Sequence, residues 1–454
     1  MAEKFYQKFT EPKKSHKKAE VKNQKKAAKK EDEKTFSEKN QNQGKFQKTY
    51  RKNPENQTFN EYKILNSLFS VNDISPESKK IIENFDQIVQ GVKPLNSKQL
   101  MQLPENIRQL SHQMTDNRAG RRLGYMNENV QLSAYVRYFT WWNFVRLTRL
   151  FSNLPESAFP SKDGVCLDLG SGPLTVVSAL WLARPELRKL NLTWYCLDVS
   201  GNSMALGEDV YLSIVANTST DEAVNPWKII RVKGSFGTEI KQKADFITEA
   251  NMFNELDQAG DMPPEFQTKK YYDQLKKYAA VNARFLLIEP GVPKASRTLA
   301  LLRERFNKAE YTVQAPCSHC KECPMNGFKA YTGSQNKWCN FAFTTEASPS
   351  KLLKLSENAK LAKERATLCF ISAIPESEIK TENDRSLLCR ITSDSFRLPG
   401  KRTGFYACSR LGLTLLSSKE TPVYKSGDLI SVKLKTPEAS LQKDEKSGAL
   451  IVLV

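Results

Sequence analysis

Three cysteines fall within seven positions of this chain, Cys317, Cys320 and Cys323 in "CSHCKECP", and Cys339 follows in "WCNF"; the whole sequence has nine. In a reducing compartment, thiols this close together form a metal or redox site more often than a disulfide framework. The run C-x2-C-x2-C resembles part of a bacterial ferredoxin motif, C-x2-C-x2-C-x3-C-P. The match fails in detail, because here the cysteine before proline is the third and no C-x3-C follows. Soft thiolate donors beside Lys321 suit either an iron–sulfur cluster or zinc, and the spacing leaves both open. Cys166, Cys196, Cys369 and Cys389 lie in apolar runs and read as small buried thiols. Spacing alone does not assign Cys408, in "GFYACSRLG".

A second feature with chemical meaning is "LDLGSGPLT", which places Asp168, Gly170 and Gly172 where a strand turns into a helix. Glycines there let a ligand approach the backbone, and the helix start offers free N–H groups. About 30 residues on, the next apolar run ends in Asp198, a carboxylate suited to the two hydroxyls of a ribose. A dinucleotide site would want G-x-G-x-x-G, and its last position here is Thr175. The D-x-G-x-G form suits S-adenosylmethionine (SAM) better. Leu174 occupies the place of a third glycine, so its side chain is expected to crowd the ligand. Glu249, Asn251, Asn254 and Glu255 in "TEANMFNEL" bring polar groups to the same end of the sheet, and Asn251 is taken as a cofactor contact. No pair among them has a spacing that dictates a reaction, so catalytic residues stay unassigned.

The elements that must hold these residues follow from periodicity. "GVCLDLG", "LTWYCLDVS", "WKIIRVKGS", "ADFITEANMF" and "ARFLLIEPG" read as strands. "TVVSALWLARPEL" and "YYDQLKKYAAVNA" read as helices between them, which together predict a parallel sheet with covering helices. Before it, "NEYKILNSLFSV", "SKKIIENFDQIVQGV" and "SAYVRYFTWWNFVRLTRLF" have helical spacing. The aromatics of the last, Tyr135 to Phe144, read as a packing seam rather than a base-stacking surface. A helix near 349–365 and short strands complete the chain. The expected order is a disordered basic tail over residues 1–58, a helical domain over 59–155 and a class I SAM-dependent methyltransferase (Rossmann-like) α/β domain over 156–310. A Cys-rich metal-binding insertion over 311–345 and a C-terminal helix with a β-rich region over 346–454 follow.

The 69 Lys+Arg against 50 Asp+Glu give a net charge of +19. Residues 1–53 contribute 17 basic minus 7 acidic, or +10, in a segment too poor in aliphatic residues to form a core. Such a surplus favours a polyanion, and nucleic acid before membrane, since no apolar run is long enough to span a bilayer. Arg118, Arg121 and Arg122 in "NRAGRRLGY" are either phosphate contacts or a solvated loop. The N-terminus lacks a secretory core and mixes acids with few arginines, so a cytoplasmic, bacterial-type location is expected, with no transit peptide.

The succession "LDLGSGPLT", "LDVSGNSMALG", "EANMFNEL", "LLIEPG", "CSHCKECP", "WCNF" and "KRTGFYACSRLG" resembles, in order, the mitochondrial small-ribosomal-subunit methyltransferase-like family and its bacterial homologues, across roughly residues 120 to 420. That family's pattern is C-P-H-x3-C-P, then W-C-H-F, then a later cysteine. The resemblance therefore implies Cys317, Cys323, Cys339 and Cys408 as ligands of a [4Fe-4S] cluster, with His319 at the family's histidine. Ser318 and Asn340 depart from the pattern, and Cys320 is an additional thiol. The implied function is a SAM-dependent methyltransferase-fold protein that acts on or binds small-subunit (16S-type) rRNA during ribosome assembly or translation, monomeric when free. The alternatives are a non-catalytic assembly factor and a zinc-containing RNA-binding protein.

Overall fold

The structure, a computed structural model, describes residues 59–115, 125–218, 224–256, 262–327, 337–376, 386–419 and 424–454. The basic segment 1–58 and Arg118, Arg121 and Arg122 lie outside them. Residues 59–454 form one compact unit.

Residues 61–67, expected to be helical, form strand β1 (Glu61–Ser67). It pairs antiparallel with a strand near the C-terminus, Tyr62 opposite Val432 and Ile64 opposite Ile430. A short apolar run fits either period, and here the distant partner decides. Helices Pro76–Glu83, Phe85–Val92 and Ser97–Thr115 follow. Next come Asn129–Ala134, a π-helical stretch Tyr135–Thr140 and the helix Trp141–Asn153. The aromatic series is core: Tyr138, Trp141, Trp142 and Phe144 are buried. Their polar tips are satisfied, Trp141 Nε1 donating to Ile82 O at 2.7 Å and Trp142 Nε1 to Ser356 Oγ at 3.1 Å.

The central sheet is built from β2 (Gly164–Leu169), β3 (Leu192–Asp198), β4 (Lys228–Lys233), β5 (Ala244–Ala250), β6 (Ala279–Glu289), β7 (Tyr311–Ala315), β8 (Phe341–Thr344) and β9 (Arg365–Pro375). Its order is β4-β3-β2-β5-β6-β9-β7, with β8 on β9. The first five strands run parallel, and β9 is antiparallel to both β6 and β7. Counted from β2, this is the order 3-2-1-4-5-7-6 with a reversed seventh strand, the class I SAM-dependent methyltransferase arrangement. Two expected helices are shorter than read. Thr175–Ala183 gives way to a 3-10 turn at Pro185, and Pro264–Tyr278 stops where β6 begins at Ala279, because the run that follows pairs with β5. The helix expected near 349–365 spans Ser350–Asn358.

The C-terminal sheet comprises β10 (Leu387–Ile391), β11 (Phe396–Leu398), β12 (Arg402–Ser409), β13 (Gly412–Ser418), β14 (Asp428–Lys433) and β15 (Leu450–Leu453), in the order β1-β14-β10-β12-β13-β15. Asn60 joins its two ends, its backbone N–H donating to Leu453 O at 3.0 Å, so the sheet curls around Leu387, Ile391, Phe405, Leu416, Ile430 and Val452. Among the described residues no helix is long and apolar enough to cross a membrane.

Candidate functional site

Because β2 lies between β3 and β5, the chain crosses over at its C-terminal end and leaves a crevice there. A cleft of about 130 Å3 opens at this point. Gly170, Gly172, Asp198 and Asn251 line it, with Met126, Tyr135, Asn143, Phe236, Glu255 and Leu256 among the other walls. Asp168 does not line it. It is fully buried beneath the turn, where its Oδ1 accepts from Thr248 Oγ1 at 2.7 Å, and burial pushes its carboxyl up to about 7.

The turn needs its glycines for different reasons. Gly170 has φ +65°, and a Cβ on it would meet Met252 Cβ at 2.8 Å. Gly172 has φ +49° and no atom nearer than 3.8 Å to where a Cβ would stand, so the space beside it stays open. Asp198 fixes the turn by accepting from the Gly172 N–H at 2.9 Å and the Ser200 N–H at 2.7 Å, and Ser200 in turn caps the helix Gly201–Ala216. Leu174 corrects the expectation of crowding. It adopts the left-handed conformation of the glycine it replaces (φ 53°, ψ 38°), yet its side chain is fully buried in the core and does not line the cleft.

Asn251 has φ +67° at the end of β5, and Glu255 also faces the cleft, whereas Glu249 and Asn254 do not line it. Glu249 is fully buried, and its Oε1 accepts from the N–H groups of Met252 and Phe253. Glu289, at the end of β6, is equally buried and accepts from the Asn254 N–H at 3.2 Å. The loop that forms one wall of the cleft is thus held from below by two carboxyl groups. Burial, and for Glu249 the neighbouring Glu289, raises both above the ordinary carboxylate range.

Among the described residues the lining contains carboxyl groups at Asp198 and Glu255 and no Lys or Arg. That donor set fits a ligand with hydroxyls and a positive centre, as SAM has.

A second cavity, of about 20 Å3, is lined by Cys317, Cys323, Cys339, Cys408, His319, Arg303 and Arg390. Cys317 and Cys323 follow β7, Cys339 precedes β8, and Cys408 arrives on β12 of the other sheet. Cys320 is exposed outside this cavity, its Sγ 4.0 Å from Thr312 Oγ1. His319 Nε2 lies 3.1 Å from Cys408 Sγ, and Arg303 Nε donates to Cys317 Sγ at 3.0 Å. Arg390 on β10 donates to Pro316 O, Asn66 Oδ1 and Gly427 O, stitching the cysteine segment to the C-terminal sheet. Burial, and next the neighbouring sulfurs, raise the thiols of Cys339 and Cys408 well above their usual value, so four thiolates here would need compensating positive charge. Among the described residues no three His, Cys, Asp or Glu side chains are gathered so as to hold a single metal ion. Sequence reading missed Arg303 and Arg390, since an arginine in an amphipathic helix or a strand carries no mark of burial. It likewise missed Asn143, which reaches the cleft from a helix distant in sequence.

Residues 130–393, more than half of the chain, match the family described as mitochondrial small ribosomal subunit Rsm22. The chain belongs to that family. No curated protein matches it. Solved structures similar to this Rsm22-family chain include a ribosomal protein L11 methylase from Lactobacillus delbrueckii subsp. bulgaricus, at 14% identity and TM-score 0.24, covering 40% of this chain and 72% of the other. Another is a SAM-dependent methyltransferase from Geobacter sulfurreducens in complex with S-adenosyl-L-homocysteine, at 12% identity and TM-score 0.29, covering 51% and 90%. A third, a class I methyltransferase-like protein from Listeria monocytogenes, has 10% identity and TM-score 0.28, covering 68% and 90%.

Proposed function

We propose that this Rsm22-family chain binds SAM in the cleft at Gly170, Gly172, Asp198 and Asn251, and acts on or holds small-subunit rRNA during ribosome assembly. The observation that carries the reading is the cleft itself: an open glycine turn and two carboxyl groups at the switch point of a methyltransferase-type sheet. Gly172 would admit the ligand beside the backbone, Asp198 would take the ribose hydroxyls, and Asp168 would keep the turn in place from beneath. SAM, when bound, supplies an electrophilic methyl group. Calorimetric titration of SAM into the full chain should give a saturable heat, and absence of binding at millimolar SAM would remove the enzyme reading. Incubating the chain with tritiated SAM and unmodified small subunits then separates transfer to rRNA from a non-catalytic assembly role. The second role is favoured by one fact: Tyr135, Asp198 and Glu255 are the titratable side chains among the cleft's lining residues, and Asp198 is already bound to the turn.

For the sulfur cavity the reading is a [4Fe-4S] cluster on Cys317, Cys323, Cys339 and Cys408. When bound, it would supply four iron–thiolate bonds joining the segment after β7 to β12. Four sulfurs from three places in the chain, flanked by two buried guanidinium groups that offset thiolate charge, support it. The sulfurs would have to turn outward to admit it, given the small cavity. Brown, anaerobically purified protein with iron and acid-labile sulfide is the expected result; a colourless protein with stoichiometric zinc would favour the zinc alternative. The free chain is proposed to be a monomer, testable by light scattering. A cytosolic location is proposed, and import by isolated mitochondria, which the family's description makes the outcome to test, would overturn it.

A further inference from the structure

The C-terminal sheet has one corner where Lys337 and Lys419 are seated on rings. Residues 394–420 include Arg397, Lys401, Arg402, Arg410 and Lys419 against Asp394 and Glu420, a surplus of +3. Arg410 is paired with Glu438. The others gather around the β11–β12 hairpin, where Phe396 faces Gly404 and Leu398 faces Arg402 across the ladder. Lys419 Nζ sits 4.6 Å from the centroid of Phe59, with the Arg402 guanidinium 6.0 Å from the same ring. Lys337 Nζ sits 4.5 Å from the centroid of Tyr406, which itself lies 5.0 Å from Phe396. Lys401 occupies the exposed hairpin turn at φ +59°, beside Gly400 at φ +74°. Among the described residues Lys337, Arg397, Lys401 and Lys419 have no carboxylate partner.

Gly404 lets the rings of Phe396 and Tyr406 lie on the same face of the hairpin as Arg402, whereas Arg397, opposite Thr403, falls on the other. A Cβ there would meet Phe396 Cε2 at 2.8 Å and Leu398 Cδ1 at 2.9 Å, so only glycine lets β11 lie flat on β12. Alternation along β12 then puts Arg402, Gly404, Tyr406 and Cys408 on one side, while Phe405 and Ala407 enter the core. Cations held against rings keep their charge outward with fewer rotamers to lose on binding, and with their ring faces already occupied the aromatics serve the cations more than they offer platforms to bases.

We infer that the β11–β12 corner, through Lys401, Arg402, Lys419 and Lys337, is a docking surface for the phosphate backbone of RNA. It rests on the rRNA reading above and adds to it the surface and the mode, which is backbone contact without base reading. The surface adjoins the sulfur cavity, because Cys408 stands on the same face of β12.

The test is the salt dependence of binding of the full chain to a fluorescein-labelled single-stranded RNA. Lys401→Gln on the exposed hairpin with Lys419→Gln should weaken binding and reduce the slope of log K against log salt by about 1.4, taking roughly 0.7 per lost phosphate contact on a single strand. Lys276→Gln with Lys277→Gln, an equal loss of charge on the helix Pro264–Tyr278, should leave the slope unchanged. Equal effects of the two pairs would overturn the surface while leaving RNA binding intact, and no binding by the unaltered chain would overturn the rRNA reading with it. Binding to phosphatidylglycerol vesicles that the Lys401 and Lys419 pair abolishes, with RNA binding untouched, would reassign the corner to a membrane and overturn the inference.

Discussion

Glu249 and Glu289 stand as hydrogen-bonded neighbours at the buried ends of adjacent strands. Among the described residues no N–H or hydroxyl donor reaches Glu249 Oε2, and both side chains are fully inaccessible to solvent. Two such carboxylates cannot both be charged, and a proton held between them supplies the missing donor. The pair holds the backbone of Met252, Phe253 and Asn254 and so shapes one wall of the cleft.

This fixes a pH dependence. An acid whose pKa is raised in the folded state binds more protons there than in the unfolded chain. Stability therefore falls as pH rises from the ordinary value of 4.5 toward about 7, where Glu289 loses its proton, and is unaffected by this pair well below 4.5. Glu289→Gln, which keeps the neutral form, should flatten that decline. Melting temperature measured from pH 5 to 8 is the check: a parallel slope in the variant would show that the pair does not share a proton.

The turn glycines should separate by phenotype. Gly172→Ala puts a methyl group into open space beside the cleft at the cost of a left-handed alanine, about 1–2 kcal/mol. SAM affinity should drop with only a small loss of stability. Gly170→Ala meets Met252 in addition to its positive φ, so it should disturb the loop at 251–256 and lower the melting temperature more. Calorimetry against SAM alongside thermal melts distinguishes the two; equal losses of stability would contradict the open space at Gly172.

Leu174→Gly sets two effects against each other. Glycine relieves about 1–2 kcal/mol of left-handed strain. It also removes a leucine side chain that is 0% exposed, and truncating a buried leucine costs about 2–5 kcal/mol. Packing should win, with a net destabilisation of about 1–3 kcal/mol in denaturant melts and little change in SAM affinity. A stabilised variant would mean that the strain dominates.

The same residue shows what was legible in the sequence. The motif D-x-G-x-G located the turn, and alternating apolar runs located the first five strands of the central sheet, because burial on both faces leaves a dense apolar signature. Where Leu174 points was not legible, since a left-handed backbone turns a side chain from the ligand to the core without altering its place in the motif. Nor was β1, whose pairing with β14 spans most of the chain. The cysteine segment marked itself, but its meeting with Cys408 on another sheet depended on the resemblance, and Arg303 and Arg390 left no trace.

The cysteines offer the sharpest contrast. Cys408 shares a cavity with Cys317, Cys323 and Cys339, while Cys320, closest to two of them in sequence, is exposed outside it. Cys320→Ser should leave bound iron unchanged. Cys408→Ser should lower it, because an oxygen in place of the sulfur is a harder donor and because Cys408 is the one of the four contributed by the C-terminal sheet. The loss should also loosen that sheet from the rest of the protein, seen as faster proteolysis within 386–454 than in the unaltered chain. Iron and sulfide analysis of anaerobically purified variants decides the matter: iron lost from Cys320→Ser and retained in Cys408→Ser would reverse the ligand assignment.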